Sequence, residues 1–384
     1  MSKSVVMVSS QYPPVYGGAG QQAQLLSNVL VSRGWKVTVV TLDQEGIGST
    51  VHGGLRVVRV LRGIAGAGKT SRALTTVVLG LTAAWLVLSS RPSAVHIHGA
   101  YWWSLPPVIA GRVASATSVV KITRDGEDDP GTVFGRKVFG AVPLGWLYGL
   151  SLKLCDFVVV LSAEAYNKST GLVASDRLRL IRNGVDLTAL ARTPDRREAA
   201  RKALDVKAGA RVTTFVGYLV EHKGVLDLLA AWKLRELSNN SELWLVGPYE
   251  GFYRELTSNA IDEIRRMQDA GYKIRLFGQV GKDEMPEIYW ASDVFTLPSY
   301  KEGMPNSLAE AIAAGCTIVG TAIPGITDIA SFASSILVKP GDIAALAEAL
   351  DSAEASADVE MPETSSMGID ATASKIEELY AKKI

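Results

Sequence analysis

Residues 294–320 read Val294-Phe295-Thr296-Leu297-Pro298-Ser299-Tyr300-Lys301-Glu302-Gly303-Met304-Pro305-Asn306-Ser307-Leu308-Ala309-Glu310-Ala311-Ile312-Ala313-Ala314-Gly315-Cys316-Thr317-Ile318-Val319-Gly320. Val294–Pro298 is a short apolar run ended by proline, the pattern of a buried strand. Leu308, Ala311 and Ile312 recur at helical spacing, so a helix over Ser307–Ala314 is predicted, with Gly315 ending it. Thr317–Gly320 reads as the next strand. Strand, helix and strand joined by short links form a parallel βαβ unit with a right-handed crossover. Pro305 suits a first helical turn, and Asn306 and Ser307 offer capping groups. A helix N-terminus at the carboxyl end of a strand presents backbone N–H groups and a positive dipole end, a natural seat for phosphate. Glu302 precedes the helix and Glu310 lies about one turn inside it. Two carboxylates flanking an anion seat can accept hydrogen bonds from neutral hydroxyls, which sugars carry. A capped surface helix with solvated glutamates explains the same residues.

The rhythm extends outward. Val212–Tyr218, Glu242–Gly247 and Ile274–Gly278 read as strands, with helices predicted over Arg196–Leu204, Val225–Leu237, Ile261–Ala270 and Met285–Ala291. In the first half, strand-like runs are Val5–Val8, Lys36–Thr41, Leu55–Leu61, Ala94–His98, Ser118–Thr123 and Phe157–Leu161. Ala23, Leu26, Leu30 and Arg33 mark a helix between the first two, closed by Gly34. Residues 351–365 read as a loose segment before a final helix, Ala371–Lys383. The expectation is an α/β chain of two Rossmann-like domains, residues 1–186 and 187–365, with parallel sheets facing across a cleft. Residues 366–384 form a C-terminal helix packing back toward the first domain. Ligand belongs at the carboxyl ends of the strands.

Composition bounds the rest. The 384 residues are 47% hydrophobic and 21% charged, which excludes a disordered or coiled-coil chain. Net charge is +1, so no polyelectrolyte partner such as nucleic acid is implied. The halves differ: residues 1–186 hold 19 Lys/Arg against 10 Asp/Glu, and residues 187–384 hold 21 against 29. Cys155 and Cys316 are too few for a disulfide framework, and a reducing cytoplasm is the natural compartment. After Lys3 comes Val5-Val6-Met7-Val8, a first strand rather than a signal peptide. The uncharged stretch between Arg72 and Arg91 sits at the short limit of a membrane span, and a helix buried inside a large domain explains it equally well.

Several segments share one resemblance. Glu302 and Glu310, with seven residues between them, resemble the Glu-x7-Glu motif of family 4 retaining glycosyltransferases (glycosyl transferases group 1), which share the GT-B fold. Gln11–Gly18 resembles the family's glycine loop, His96-Ile97-His98-Gly99 its strand-end histidine segment, and Arg182–Asp186 the Asn-Gly-Val-Asp that closes the first domain. Phe215–Gly224 resembles its Gly-Arg-Leu…Lys-Gly strand and loop. Phe277-Gly278 to Asp293 and Gly315 to Asp328 also fit. The resemblance implies a nucleotide-sugar donor held mainly by the second domain. Glu310 would grip the ribose, Glu302 the donor sugar, and the backbone of Gly303, Met304, Pro305, Asn306 and Ser307 the sugar and phosphates. Lys223 would neutralise the diphosphate, Gly17 and Gly18 would admit the β-phosphate, and His98 would contact the transferring sugar. It implies no cofactor and no metal, and Glu127-Asp128-Asp129 reads as a solvated loop.

The sequence departs from the pattern in two places. Tyr218 stands where the family usually has an arginine, so its hydroxyl brings one hydrogen bond and no charge. Stabilisation of the leaving group would then be weaker or supplied elsewhere, by Arg182. Thr123–Pro130 replaces the usual acceptor-side histidine-glycine. Alternatives are a P-loop NTPase using Gly63–Thr70, which matches G-x4-G-K-[ST], and a catalytically silent nucleotide-sugar-binding homologue. The cationic residues of 56–153, beside uncharged stretches holding Phe139, Leu144, Trp146, Leu147 and Tyr148, point to a glycan or lipid-linked acceptor on an anionic membrane. The chain is expected on the cytoplasmic side, peripheral to that membrane.

Overall fold

The computed structural model describes residues 3–15, 17–62, 69–99, 101–123, 137–138, 142–143, 145–235, 240–249, 254–356 and 363–382. The chain divides into two compact units. Unit 1 holds Met1–Gly184 and Ile369–Ile384, and unit 2 holds Val185–Gly368. These divisions fall two or three residues from the predicted boundaries.

Unit 1 is built on an eight-stranded sheet. Its strands are β1 (Ser4–Ser9), β2 (Lys36–Leu42), β3 (Thr50–His52), β4 (Leu55–Val60), β5 (Ala94–His98) and β6 (Thr117–Lys121), then β9 (Phe157–Val160) and β10 (Leu178–Leu180). The order is β10-β9-β6-β5-β1-β2-β4-β3, parallel except for the β3–β4 pair. A separate two-stranded ribbon, β7 (Lys137–Val138) and β8 (Val142–Pro143), lies between β6 and β9 in sequence. The helices are α1 (Gly18–Ser32), α2 (Lys69–Ser90), α3 (Leu105–Val113), α4 (Gly145–Leu154) and α5 (Ala163–Ser169). Alternation splits the strand residues between two cores. Val6, Val8, Val95, Ile97 and Val158 pack with Leu79, Ala83, Leu86 and Val87 of α2. Val5, Met7, Ala94, Val119 and Val159 pack beneath α1 with Ile376 and Tyr380 from the chain's C-terminal end. Both faces are covered, so the strands are apolar on both sides. The helix predicted between β1 and β2 ends as expected, with Gly34 in the left-handed region at φ 82°.

Unit 2 contains α6 (Leu187–Leu190), α7 (Pro194–Ala203), β11 (Arg211–Val216), α8 (Val225–Leu234), β12 (Ser241–Val246), α9 (Arg254–Asp269) and β13 (Ile274–Gly278). It continues through α10 (Met285–Ala291), β14 (Val294–Leu297), α11 (Asn306–Ala313), β15 (Thr317–Thr321), α12 (Pro324–Ala330), β16 (Ser335–Val338) and α13 (Ile343–Ala355). Its six-stranded sheet has the order β13-β12-β11-β14-β15-β16 and is parallel throughout. The order reverses at β11 and β14, where an open α/β sheet takes its ligand. Helix α14 (Ile369–Ala381) completes unit 1, packing on α1 and β6.

Two readings need correction. Residues 351–355 are not loose: they finish α13, whose Leu346, Leu350 and Ala353 are buried. Helix α9 starts at Arg254, seven residues before the predicted start, because its first turns are polar and carry little apolar periodicity. Helix α2 buries one face against the sheet, and no described helix is long and apolar enough to cross a membrane.

Candidate active site

The carboxyl edge of the unit 2 sheet brings four segments together. Helix α11 starts at that edge, and its N-cap is Pro305, with φ −73° and ψ 117°. Pro305 supplies no side-chain cap, and Asn306 and Ser307, expected as capping residues, are the first two residues of the helix. Ser307 Oγ instead donates to the carbonyl of Val216 (3.1 Å), tying the helix to the end of β11 just before Gly217 and Tyr218. The first-turn N–H groups therefore stay at the strand edge, where helix geometry makes them an anion seat.

The sequence names Glu302 and Lys223 separately, and the structure joins them. Lys223 Nζ lies 2.6 Å from Glu302 Oε1, and both side chains are largely buried. Ser299 Oγ donates to the same carboxylate oxygen at 2.7 Å. Lys223 ends a short 3-10 turn, Glu221–Lys223, and that turn is anchored twice. The amide of Tyr300 donates to the His222 carbonyl (2.9 Å). Gly224 has φ 68°, and a Cβ there would sit 2.0 Å from the Pro298 carbonyl oxygen. Gly325, at the start of α12, lets that helix close against the Glu302–Gly303 backbone, since a Cβ would lie 2.4 Å from the Glu302 carbonyl oxygen. The pair is thus held by packed main chain on three sides.

Glu310 lies one turn into α11, where Tyr289 OH donates to its Oε2 at 2.9 Å. Burial pushes the Glu310 carboxyl above its ordinary pKa, opposed by the Tyr289 hydrogen bond and the charge of Lys282. Ser299 and Tyr289 were not anticipated. Ser299 carries a faint signal, a hydroxyl three residues before Glu302. Tyr289 carries none, since it sits on a different helix from Glu310.

A raised carboxyl pKa means the folded chain keeps its proton to higher pH than the unfolded chain. The stabilising contribution is present in acid and is lost as pH rises through the raised value. Glu310→Gln is therefore expected to raise the melting temperature of the ligand-free protein at neutral pH. It should also weaken nucleoside-diphosphate binding by about 10- to 100-fold, the worth of a hydrogen bond to a charged group. Thermal melts in acid and at neutral pH, with and without nucleotide, check both. A neutral-pH melt unchanged by the substitution counts against a desolvated carboxylate.

In unit 1, His98 ends β5 beside Ser9 of β1 and Lys121 of β6. Its ring stacks on His96 at 4.2 Å, is almost fully buried, and has no hydrogen-bond partner at either nitrogen among the described residues. Burial, with the nearby charges of His96 and Lys121, lowers its pKa well below 6.5, so the imidazole is neutral at pH 7. Lys121 is itself buried, donates to Asn183 Oδ1 at 2.7 Å, and has its pKa lowered to about 8 by desolvation. Gly17 is the N-cap of α1, whose first residue is Gly18. The Gln11 side chain packs over Gly17, and Gly20 is the closer backbone approach, where a Cβ would meet the Gln11 carbonyl oxygen at 2.5 Å. Arg182 lies in unit 1, with its backbone carbonyl accepting from Thr372 (3.2 Å). Residues 63–68 of the P-loop match, the acidic loop 125–129, Phe139 and Leu144 lie outside the described residues. Among the described residues no group of three or more His, Cys, Asp or Glu is placed to hold a metal ion.

Comparison with known proteins places this geometry. The profile of glycosyl transferases group 1 matches residues 210–354, the whole of the Lys223–Glu302–Glu310 edge. The profile of the glycosyl transferase 4-like domain matches residues 17–184. The chain belongs to the group 1 glycosyltransferases. It is 29% identical over 358 residues to the 2-deoxystreptamine N-acetyl-D-glucosaminyltransferase of Streptomyces fradiae, covering 87% of this chain and 81% of that one. Sucrose-phosphate synthase from Thermosynechococcus elongatus superposes with a TM-score of 0.78 at 20% identity, covering 99% and 98% of the two chains. Anabaena HepE, solved in complex with UDP and glucose, gives a TM-score of 0.71 at 14% identity and covers both chains fully. These neighbours establish the GT-B fold for this glycosyltransferase.

Proposed function

We propose that the protein is a retaining, metal-independent transferase that moves a sugar from a nucleoside diphosphate to an acceptor hydroxyl. The observation that carries this is the Lys223–Glu302 pair, set at the β11/β14 edge beside the open start of α11. The UDP and glucose held by the HepE structure are consistent with it. In this reading Glu310 accepts from the ribose hydroxyls and Glu302 from the donor sugar. Backbone N–H groups from Gly303 to Ser307 and the Lys223 ammonium meet the diphosphate, and the Tyr218 hydroxyl adds one hydrogen bond. Gly17 and Gly18 admit the β-phosphate, and His98, neutral, offers its ring to the transferring sugar. The acceptor oxygen bonds to the anomeric carbon as the bond to the diphosphate breaks, both on one face of the sugar. The departing phosphate oxygen takes the acceptor proton. Positive charge at the leaving group is the main requirement, and Lys223 with the helix dipole supplies it. The acceptor we infer is a lipid-linked glycan or glycolipid at the cytoplasmic face of a membrane, in cell-surface glycan synthesis.

Thermal-shift screening against UDP-, GDP- and ADP-sugars, with ATP and GTP as controls, identifies the donor. Glu302→Gln should then cut turnover by about 10²-fold while donor affinity changes less than threefold, since its hydrogen bonds tighten as the sugar gains charge. Equal small losses in both would leave Glu302 as a structural partner of Lys223 and Ser299 rather than a group that meets the sugar. Donor binding without any transfer or hydrolysis would support the silent-homologue alternative, which Tyr218 favours.

A further inference from the structure

One outer surface of unit 1 is apolar where a solvated helix would be charged. Helices α2, α3 and α4 pack side by side on the sheet face of Val6, Val95 and Ile97. What they turn away from the sheet therefore shares one surface. The exposed residues of α2 between 74 and 88 are Leu74, Leu81, Trp85 and Leu88, with Trp85 64% exposed. Their spacing puts all four within an arc of about 60° on the helix. Helix α3 adds Ile109 and Val113, the latter 71% exposed, and α4 adds Trp146. Of the aromatic stretch read from the sequence, Trp146 is exposed while Tyr148 is fully buried. The inner side of α2 already fills the core, so the fold has no need of this stripe. A contiguous exposed apolar face of this kind marks an interaction surface.

Charge indicates what covers it. Residues 46–124 hold nine Lys/Arg and no Asp/Glu, and residues 130–155 hold three and none. Arg91, Arg112 and Lys153 are exposed at the ends of these helices. A second copy meeting this face across a two-fold axis would set those cations against their own kind. An anionic lipid surface complements them. Tryptophan is favoured at headgroup depth, and a helix with one apolar face lies in the interface plane. We propose that the outer face of α2, α3 and α4 docks unit 1 onto an anionic phospholipid bilayer, with Leu74, Leu81, Trp85 and Leu88 entering the acyl boundary. This deepens the lipid-linked acceptor reading, on which it rests for its purpose, and takes its evidence from a different part of the molecule.

The test is flotation of the full chain with phosphatidylcholine vesicles, with and without phosphatidylglycerol, at low and high salt. Wild type should float with the phosphatidylglycerol vesicles and lose binding in high salt. Leu81→Gln with Trp85→Gln should lower the bound fraction at least about tenfold. The nucleotide-induced thermal shift, a property of unit 2, should not change. Arg112→Glu with Lys153→Glu should weaken binding only to the anionic vesicles. Absence of wild-type binding at low salt, or full binding by the Leu81/Trp85 variant, overturns the proposal. So does a wild-type dimer that the same variant makes monomeric, because a second copy would then be the occupant. A protein that turns over nucleotide sugar on a soluble acceptor yet ignores vesicles loses this surface and keeps the transferase reading. One that floats through α2 without turnover does the reverse.

Discussion

Lys223→Ala is expected to lower kcat/KM for nucleotide-sugar turnover by roughly 10²–10³-fold, the usual cost of deleting one preorganised group that stabilises developing charge. The geometry makes the effect larger than a surface lysine would give. Lys223 is mostly buried and held 2.6 Å from Glu302, so its removal withdraws a cation from the leaving group and a partner from a carboxylate that is 8% exposed. Ser299 remains as a donor to Glu302 Oε1, and one neutral hydrogen bond does not balance a buried charge. The two residues act as a unit, so Lys223→Ala combined with Glu302→Gln should cost less than the sum of the single losses. Lys223→Arg should rescue little, because a planar fork does not replace a compact ammonium in a packed turn. Lys69→Ala serves as the control and should leave donor binding intact. Loss of nucleotide binding in Lys69→Ala with retention in Lys223→Ala would move the phosphate site to residues 63–70 and end the present assignment.

Of the two sheets, β3, β10 and β16 were not read from the sequence; the other strands of the parallel βαβ rhythm were legible because they are short, mainly apolar runs ended by Gly, Pro or a polar residue. Helix α11 was legible for the same reason, with Pro305 before it and Gly315 after it. Helices α3 and α4 were not. Leu105–Val113 and Gly145–Leu154 are apolar on nearly every side, so periodicity is silent. Their partners, α2 and the sheet, are known only from tertiary packing. Helix α13 misled in the opposite direction, because Ala, Ser and Glu resemble a linker until Leu346 and Leu350 are seen facing β15 and β16. At the site, Glu302, Glu310 and Lys223 could each be named from motif spacing. Their pairing could not, since Lys223 and Glu302 are 79 residues apart and meet through the adjacency of β11 and β14. The exposed stripe on α2 was half legible: the sequence showed its lack of charge, while only the structure separates Leu79 and Leu86, which are buried, from Leu81 and Trp85, which are not.

Asp293→Ala is expected to destabilise the protein by about 3–5 kcal/mol, the cost of breaking a buried ionic cluster from one side. Asp293 is 1% exposed and precedes β14 directly. Its Oδ1 accepts from Arg197 at 2.7 Å, and its Oδ2 accepts from the Val212 amide at 2.8 Å and from Arg201 at 3.3 Å. Arg211 approaches Oδ1 at 3.4 Å. One carboxylate thus fastens α7 and the start of β11 to the head of β14. Removing it leaves three guanidinium groups converging on a cavity, and burial already lowers the pKa of Arg201. Arginine cannot shed its charge to relieve this, so the repulsion persists at any working pH. Because Ser299 and Glu302 follow β14 immediately, loosening its head should also blur the catalytic edge. Nucleotide affinity should then fall along with stability, whereas Lys223→Ala should lower turnover by far more than its own loss of stability accounts for, since the Ser299 hydrogen bond to Glu302 remains. Asp293→Asn keeps the volume and one acceptor and should recover part of the loss. Chemical denaturation of the three variants, read beside nucleotide titrations, separates the two behaviours. An Asp293→Ala protein as stable as wild type would mean that the arginines find other partners, and that β14 is positioned by its neighbouring strands alone.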